Sequence, residues 1–400
     1  METVESVKKS RLRVRQATTR KSRISPNKIH SFVGKLIGDE VHGSRVLSLA
    51  NGVVGVVQAA AVGVHVIGRG LAEAMSLDPK HAIKQVDRML SNAGITIWEW
   101  FSKWVMFVVG VRKEIVVALD WTEFDKDKHS TIALYLVTSH GRATPLIWKT
   151  VDKGELKDRR NEYESDVIYR LHDSLPSDVS VTLLADRGFG DQARFEFLDV
   201  LGWQYAIRFR QGITVTWNDE SKPAIEWIPK SGHAKILRDA QITREKTAVA
   251  AIVVKHQKGM KEAWCIASNL RDKTAQQIVK LYARRFTIEE TFRDIKDNHF
   301  GMGLSATQIG VPARRDRLLF IAAIAQALLT MLGAAGEAVG LDRTLKANTV
   351  KTRTMSLFNQ GMCWYRAIPN MREDRLRILM NAFGKIVSEH AAFSDIFGVI

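Results

Sequence analysis

Residues 114–148, EIVVALDWTEFDKDKHSTIALYLVTSHGRATPLIW, mark a change of rhythm in the chain. Residues 115–119 are a continuous apolar run of strand length, and 132–137 and 144–148 repeat the pattern, so three successive strands of one sheet are predicted. In the first, Val116, Ala118 and Asp120 share one face and Ile115, Val117 and Leu119 the other, which delivers a carboxylate at the strand end. Downstream, Val167, Ile168, Leu171 and Leu175 fall at helical spacing, 181–185 is another buried-type strand, 193–201 a helix and 205–209 a strand. That alternation predicts an α/β core. Residues 212–265 interrupt it with Trp217, Trp227, the apolar run 252–254 and several turn signals, and read as a mostly β insertion. Residues 274–297 then read as one long helix, and the remainder as mainly helical.

Upstream, helical periodicity dominates 29–104, with 71–75 and 79–90 separated by a short turn at Asp78. The pattern is that expected of a helix-turn-helix, a weak signal because two helices about a turn are common in any helical domain. Residues 7–28 alternate bases with small polar residues, including Arg11, Arg13, Arg15, Arg20, Lys21 and Arg23. They form either a solvated tail or an arm that orders on phosphates.

With 400 residues, 46% of them apolar, the chain can bury a large core, which excludes a wholly disordered protein. The net charge of +16 makes nucleic acid the leading partner, a reading that charge alone does not separate from simple cationic solubility. Cys265 and Cys363 offer neither a disulfide framework nor a zinc knuckle, which fits a reducing cytoplasm. The polar, basic start to Lys28 lacks the apolar core of a signal peptide. The apolar stretch 318–335, interrupted by Gln326 and Thr330 and preceded by Arg314, Arg315 and Arg317, is expected to be a buried helix, not a membrane span.

Asp186 follows the strand 181–185 as Asp120 follows 115–119, and RGFGD then supplies glycines for a tight turn. Two strand-end aspartates converge if their strands are neighbours; each alone could instead cap a helix or start a turn. A sharper feature is YARRFTIEETFRDIK, residues 282–296, which spaces Tyr282, Arg285, Glu289 and Lys296 by three, four and seven. All four fall in one helical arc beside the apolar stripe Ile278, Leu281, Ile288, Phe292 and Ile295, where a helix can offer a ligand to a sheet. A surface helix laced with pairs such as Arg285–Glu289 and Glu289–Arg293 shows the same spacing.

Taken together, these motifs resemble the DDE transposases of bacterial insertion sequences, in the insertion-sequence-four family. The Tyr-x2-Arg-x3-Glu-x6-Lys pattern is that family's signature, and IEETFRDIK followed by GMGLS is most similar to the insertion-sequence-ten branch. VALDWTEFD, LLADRGFGD, GWQYAIRFR, AWCIASNL and KANTVKTR match in order, so the resemblance runs from about Leu90 to Met362. It implies an RNase H-like α/β catalytic core with a mixed sheet, carrying the mostly β insertion and flanked by N-terminal and C-terminal helical regions. The divisions are 1–104 (basic arm and helical DNA-binding domain), 105–211 (first part of the core), 212–265 (insertion), 266–310 (core helix carrying the Glu) and 311–400 (C-terminal helical region).

The resemblance also assigns Asp120, Asp186 and Glu289 as the catalytic, metal-binding triad and Tyr282, Arg285 and Lys296 as phosphate-gripping residues. Glu290 is a rival for Glu289, disfavoured by the spacing, and Glu123, Asp125 and Asp127 are rivals for Asp120, disfavoured by the strand-face argument. Trp264 matches the family's base-stacking tryptophan; without that match, packing is the commoner role of such a residue. Arg208 and Arg210, alternate residues of one predicted strand, share a face that is either a DNA contact or a solvated sheet edge.

The implied cofactor is Mg²⁺ as two ions, with Mn²⁺ able to substitute, because hard carboxylates suit it. The implied reaction is cleavage at transposon ends through hairpin intermediates and strand transfer into target DNA. The implied partners are double-stranded DNA, as end repeats and target, and a second copy in a paired-end dimer, with no membrane, in the bacterial cytoplasm and at the nucleoid when bound. Three alternatives stand beside this: an RNase H-like nuclease without strand transfer, a catalytically silent DNA-binding relative, and a basic RNA-binding protein. The last lacks an RRM or KH signature.

Overall fold

Side-chain caps start three of the first four helices among the described residues. In the computed structural model, which describes residues 24–38, 41–138, 142–297 and 301–388, Ser25 caps α1 (Pro26–Ile37), with proline opening its first turn. The arm bearing Arg11, Arg13, Arg15, Arg20, Lys21 and Arg23 lies outside the described residues. α2 (Gly43–Ala59) and α3 (Val64–Met75) follow, and Asp78 caps α4 (Pro79–Ser91) by accepting from the His81 amide at 3.0 Å. Next come α5 (Ile97–Val109), β1 (Glu114–Phe124), β2 (His129–Val137), β3 (Ala143–Asp152), α6 (Arg160–Ser174) and β4 (Ser180–Ala185). α7 (Gln192–Val200), β5 (Gln204–Arg208), β6 (Thr214–Trp217), β7 (Glu220–Pro223), β8 (Lys235–Ile242), β9 (Thr247–Lys255) and β10 (Trp264–Ser268) continue the chain. It ends in α8 (Ala275–Ala283), α9 (Thr287–Lys296), α10 (Pro312–Ala338), α11 (Leu357–Ala367) and α12 (Glu373–Ser388).

The chain divides into two compact units. The first, drawn from Met1–Ile97, Asn298–Thr307 and Arg317–Ile396, is helical among its described residues. α3 and α4 meet across a short turn in which Ser76 adopts φ 55°, and they approach so closely that a Cβ on Gly68 would lie 2.5 Å from the Ile83 Cα. α10 has the length and apolarity of a membrane span, but 89% of its most apolar window is buried inside the protein, as expected of a core helix. Glycines allow that helix to pack: a Cβ on Gly333 would stand 1.9 Å from the Leu357 carbonyl oxygen, and one on Gly361 1.8 Å from that of Leu329.

The second unit, Trp98–Asp297 with Gln308–Asp316 and Phe397–Ile400, holds a ten-stranded mixed sheet of order β3-β2-β1-β4-β5-β10-β9-β8-β6-β7 among its described residues. β1, β2 and β3 form an antiparallel meander, and β4 and β5 lie parallel to β1. β10 returns antiparallel to β5 and carries β9, β8, β6 and β7 in the same sheet. All nine residues of β2 are buried, the polar His129, Ser130 and Thr131 included, and residues 132–137 form the apolar run expected of a strand covered on both faces. α6 and α9 pack on β2 and β3, while α7 and α8 pack on β5. α5 is fastened to the sheet by fully buried Trp104, whose indole N–H donates to the Pro145 carbonyl at 2.8 Å.

Two expectations need correction. β1 does not end at Asp120; it runs on to Phe124, because its pairing with β2 continues to Phe124↔His129. The expected single helix over 274–297 is α8 and α9 joined by a 3-10 turn at Arg284–Phe286. One turn of tighter winding leaves almost no trace in an i, i+3, i+4 pattern.

Candidate active site

What ends near Asp120 is the ladder with β4. Its last rung is Leu119↔Ala185, so Asp120 and Asp186 are the next residues of two adjacent parallel strands. Asp120 is held in place by the Trp121 amide, which donates to its Oδ1 at 2.9 Å. Glu289 arrives on α9, which is pinned to the start of β3. The Thr291 hydroxyl accepts from the Ala143 amide at 2.7 Å, and Arg142 pairs with Asp294 at 2.6 Å.

The helical segment lays its polar arc across these strand ends. The Tyr282 hydroxyl donates to Asp186 Oδ1 at 3.3 Å. Arg285, only 5% exposed, reaches Asp120 Oδ2 with Nη1 at 3.4 Å and Glu289 Oε1 with Nη2 at 2.8 Å. The structure thus brings Asp120, Asp186, Glu289, Tyr282 and Arg285 together. Lys296 stands farther along: its ammonium donates to the Glu123 carbonyl at 3.1 Å and lies 4.7 Å from the centre of the Phe124 ring.

The rival carboxylates have other partners. Glu290 pairs with Arg293 and, at 3.8 Å, with Arg142. Glu123 accepts from Ser130 and Lys153, Asp125 from Lys153, and Asp127 from the fully buried Arg315.

Burial and mutual repulsion shape the electrostatics. Burial, chiefly, lifts the Asp120 pKa from 3.8 to about 6 against the pull of Arg285, with the charges of Asp186 and Glu289 adding to the rise. Tyr282 is pushed up to about 12, first by burial, so it stays a phenol and a donor. Burial lowers the Lys296 pKa against the attraction of Glu123.

Trp264 opens β10 half-buried. Its ring meets Tyr282 edge-on at 5.0 Å and stacks on Phe286 at 5.9 Å, so it belongs to an aromatic cluster over the helix. Arg208 ends β5, 3.7 Å from Asp186 and bonded to Glu262; Arg210 lies beyond the strand, yet both line one cleft.

The sequence spans the model of the transposase DDE domain over residues 112–325, more than half the chain. The chain belongs to the DDE transposase family. Comparison with curated proteins gives no match. As a DDE transposase domain it is of a kind that acts on DNA by phosphodiester cleavage and transesterification and generally uses divalent metal. The donor set fits that expectation, since Asp120, Asp186 and Glu289 offer hard oxygens without imidazole or thiolate. Among the described residues, however, no three of Asp, Glu, His and Cys stand close enough to form a ready-made metal site. The Arg285 guanidinium bridges Asp120 and Glu289 instead.

Sequence reasoning passed over a buried group linked to this candidate site through Trp121. Glu164 of α6 and Arg194 of α7 are 1% and 3% exposed and pair at 2.8 Å, and the Trp121 indole donates to the same carboxylate at 2.8 Å. Trp121 is the residue whose amide holds Asp120. A signal was available: Glu164 precedes Val167, Ile168 and Leu171 by three, four and seven residues, which puts it on the buried stripe of α6.

Proposed function

We propose that this chain is a cut-and-paste transposase of the insertion-sequence-four type, nearest the insertion-sequence-ten branch, cleaving transposon ends through hairpin intermediates and joining them to target DNA. The observation that carries the proposal is the side-by-side placement of Asp120 and Asp186 at the last rung of a parallel ladder, with Glu289 tied to Asp120 through Arg285. The order β3-β2-β1-β4-β5, antiparallel then parallel, supports an RNase H-like core.

In this reading Asp120, Asp186 and Glu289 would hold two Mg²⁺ ions, or Mn²⁺ in their place. Divalent metal bound there would supply charge stabilisation for the attacking and leaving oxygens of an in-line displacement. The chain's own groups do the rest. Tyr282 orients Asp186, and Arg285 offsets the repulsion among the carboxylates until a phosphate and metal share the site. Lys296 and Arg208 hold backbone phosphates on either side. Trp264, already in an aromatic cluster, extends a stacking surface to an extruded base. The helical region 1–104, with α3 and α4, reads end DNA, and two copies pair the ends at the bacterial nucleoid.

The test is incubation of purified protein with end DNA and Mg²⁺, followed by strand-resolved denaturing gels. Nicked, hairpin and joined products are expected from wild type, none from Asp120→Asn, Asp186→Asn or Glu289→Gln, and normal products from Glu290→Gln. Hydrolysis without joining would move the reading to a nuclease; loss of activity in Glu290→Gln but not Glu289→Gln would overturn the assignment of the third carboxylate.

A further inference from the structure

Next to Asp186 lies a cleft of about 460 Å³ between the turn after β4, the end of β5 and the loop entering β10. Its polar lining includes Arg187, Arg208, Arg210, His256, Lys261 and Glu262. Four permanent cations therefore face one carboxylate, and the volume falls within the ~300–1,000 Å³ usual for ligand sites. The cleft suits an anion of nucleotide size.

The lone carboxylate occupies the cations best placed to bind such an anion. Glu262 Oε2 accepts from Arg187 Nη1 at 3.0 Å and from Arg208 Nη2, while Arg208 Nη1 stands 3.7 Å from Asp186 Oδ1. The Arg208 hydrogen bond and the Arg187 charge hold the Glu262 pKa below the usual carboxylate range, so it is charged at neutral pH. A carboxylate and a phosphodiester present guanidinium with the same two-oxygen anionic edge. Arg210 and Lys261, both exposed at the lining, are placed to receive a second phosphate.

We propose that this cleft is a phosphodiester-binding subsite for the DNA strand running past Asp186, and that Glu262 is its built-in competitor, holding Arg187 and Arg208 until a strand phosphate displaces it. The inference rests on DNA being the substrate. It accounts for a difficulty of so basic a protein: at +16, the chain attracts every polyanion, and an open cluster of guanidiniums beside the cutting site would hold any duplex equally well. A resident carboxylate makes engagement conditional on a strand held in register, by repelling one that is not.

The test uses the full chain in EDTA and a labelled random-sequence duplex, read by anisotropy at about 0.1 M salt. Glu262→Gln keeps the size of the side chain and removes its charge, and the residue is exposed, so its melting curve should match wild type. Its Kd should fall roughly three- to tenfold, the scale expected from releasing two exposed ion pairs. Adding Arg187→Ala should return Kd to about the wild-type value, and the gain of the single variant should shrink at 0.5 M salt. An unchanged or raised Kd in Glu262→Gln overturns the proposal, and so does a gain of equal size in a background lacking both Arg187 and Arg208, which would reflect net charge alone. Cleavage of end DNA, assayed in parallel with Mg²⁺, keeps the two readings apart. Full cleavage with no change of affinity refutes the competitor and spares the transposase; tightened binding by a protein that cuts nothing does the reverse.

Discussion

In the absence of divalent metal, Asp120→Asn should make the protein more stable at neutral pH while removing its chemistry. Burial, opposed by Arg285, raises the Asp120 pKa from 3.8 to about 6. Between those values the folded state binds more protons than the unfolded chain, so stability falls as pH rises from about 4 to about 6 and is level above that. A rise of this size corresponds to roughly 3 kcal/mol of native-state cost for holding the carboxylate charged. Asparagine removes the charge and keeps an acceptor for the Trp121 amide, now 2.9 Å away. It gives up the contact with Arg285 Nη1, but that contact is long at 3.4 Å and Arg285 keeps Glu289 at 2.8 Å. A net gain of about 1–2 kcal/mol is expected, or about 2–8 °C in Tm for a unit of roughly 200 residues. Thermal unfolding of both proteins in EDTA at pH 4, 5, 6, 7 and 8 reads this directly: the curves should nearly coincide at pH 4 and separate by pH 7. Mg²⁺ should then raise the wild-type Tm more than the variant's. A variant less stable than wild type at pH 7, or an advantage of equal size at every pH, would refute the burial argument.

Other perturbations test the support of the site. Glu164→Ala strands a 3% exposed Arg194 without its partner and should cost about 3–5 kcal/mol in urea unfolding, whereas Glu164→Leu combined with Arg194→Met should recover most of it. Gly361→Ala places a Cβ where the Leu329 carbonyl oxygen stands 1.8 Å away, so α10 and α11 must separate. A loss of at least ~2 kcal/mol is expected, and a melting temperature within a degree of wild type would show that the helices yield easily. Lys296→Ala should weaken end-DNA binding about equally for all sequences and reduce the salt slope by about one, since a phosphate contact carries no base preference.

Strands such as β2 and β4 were legible because burial on both faces leaves a mostly apolar stretch, 132–137 and 181–185, too short for a buried helix. The core helix α10 was legible for the same reason: arginines at one end and apolar residues after them describe a segment that must be enclosed. The 3-10 turn at Arg284–Phe286 was not, since one turn of it satisfies the α-helical pattern on either side. The continuation of β6–β9 into the same sheet was hidden as well, because edge pairing through β10 is a long-range choice that strand propensity does not encode.

The site divides along the same line. Asp120 and Asp186 could each be placed after an apolar run, but their adjacency depends on β1 and β4 being parallel neighbours with Leu119 opposite Ala185, a register set by packing between segments 66 residues apart. The helical arc of Tyr282, Arg285 and Glu289 is local, and its spacing alone foretold that these side chains would share a face. What the spacing could not express is the job that face performs. Arg285 would be read from sequence as a surface partner of Glu289, worth a few tenths of a kcal/mol. In the fold it is buried, reaches across to Asp120, and sits where three carboxylates would otherwise repel. Burial turns an ordinary i, i+4 pair into a shared counterion for Asp120 and Glu289. The Glu262 pairings with Arg187 and Arg208 follow the same logic over 75 and 54 residues of chain. In both places an arginine reaches a carboxylate far away in the chain, Asp120 from Arg285 and Glu262 from Arg187 and Arg208, and the pairing becomes visible only when the sheet has brought distant segments to one edge.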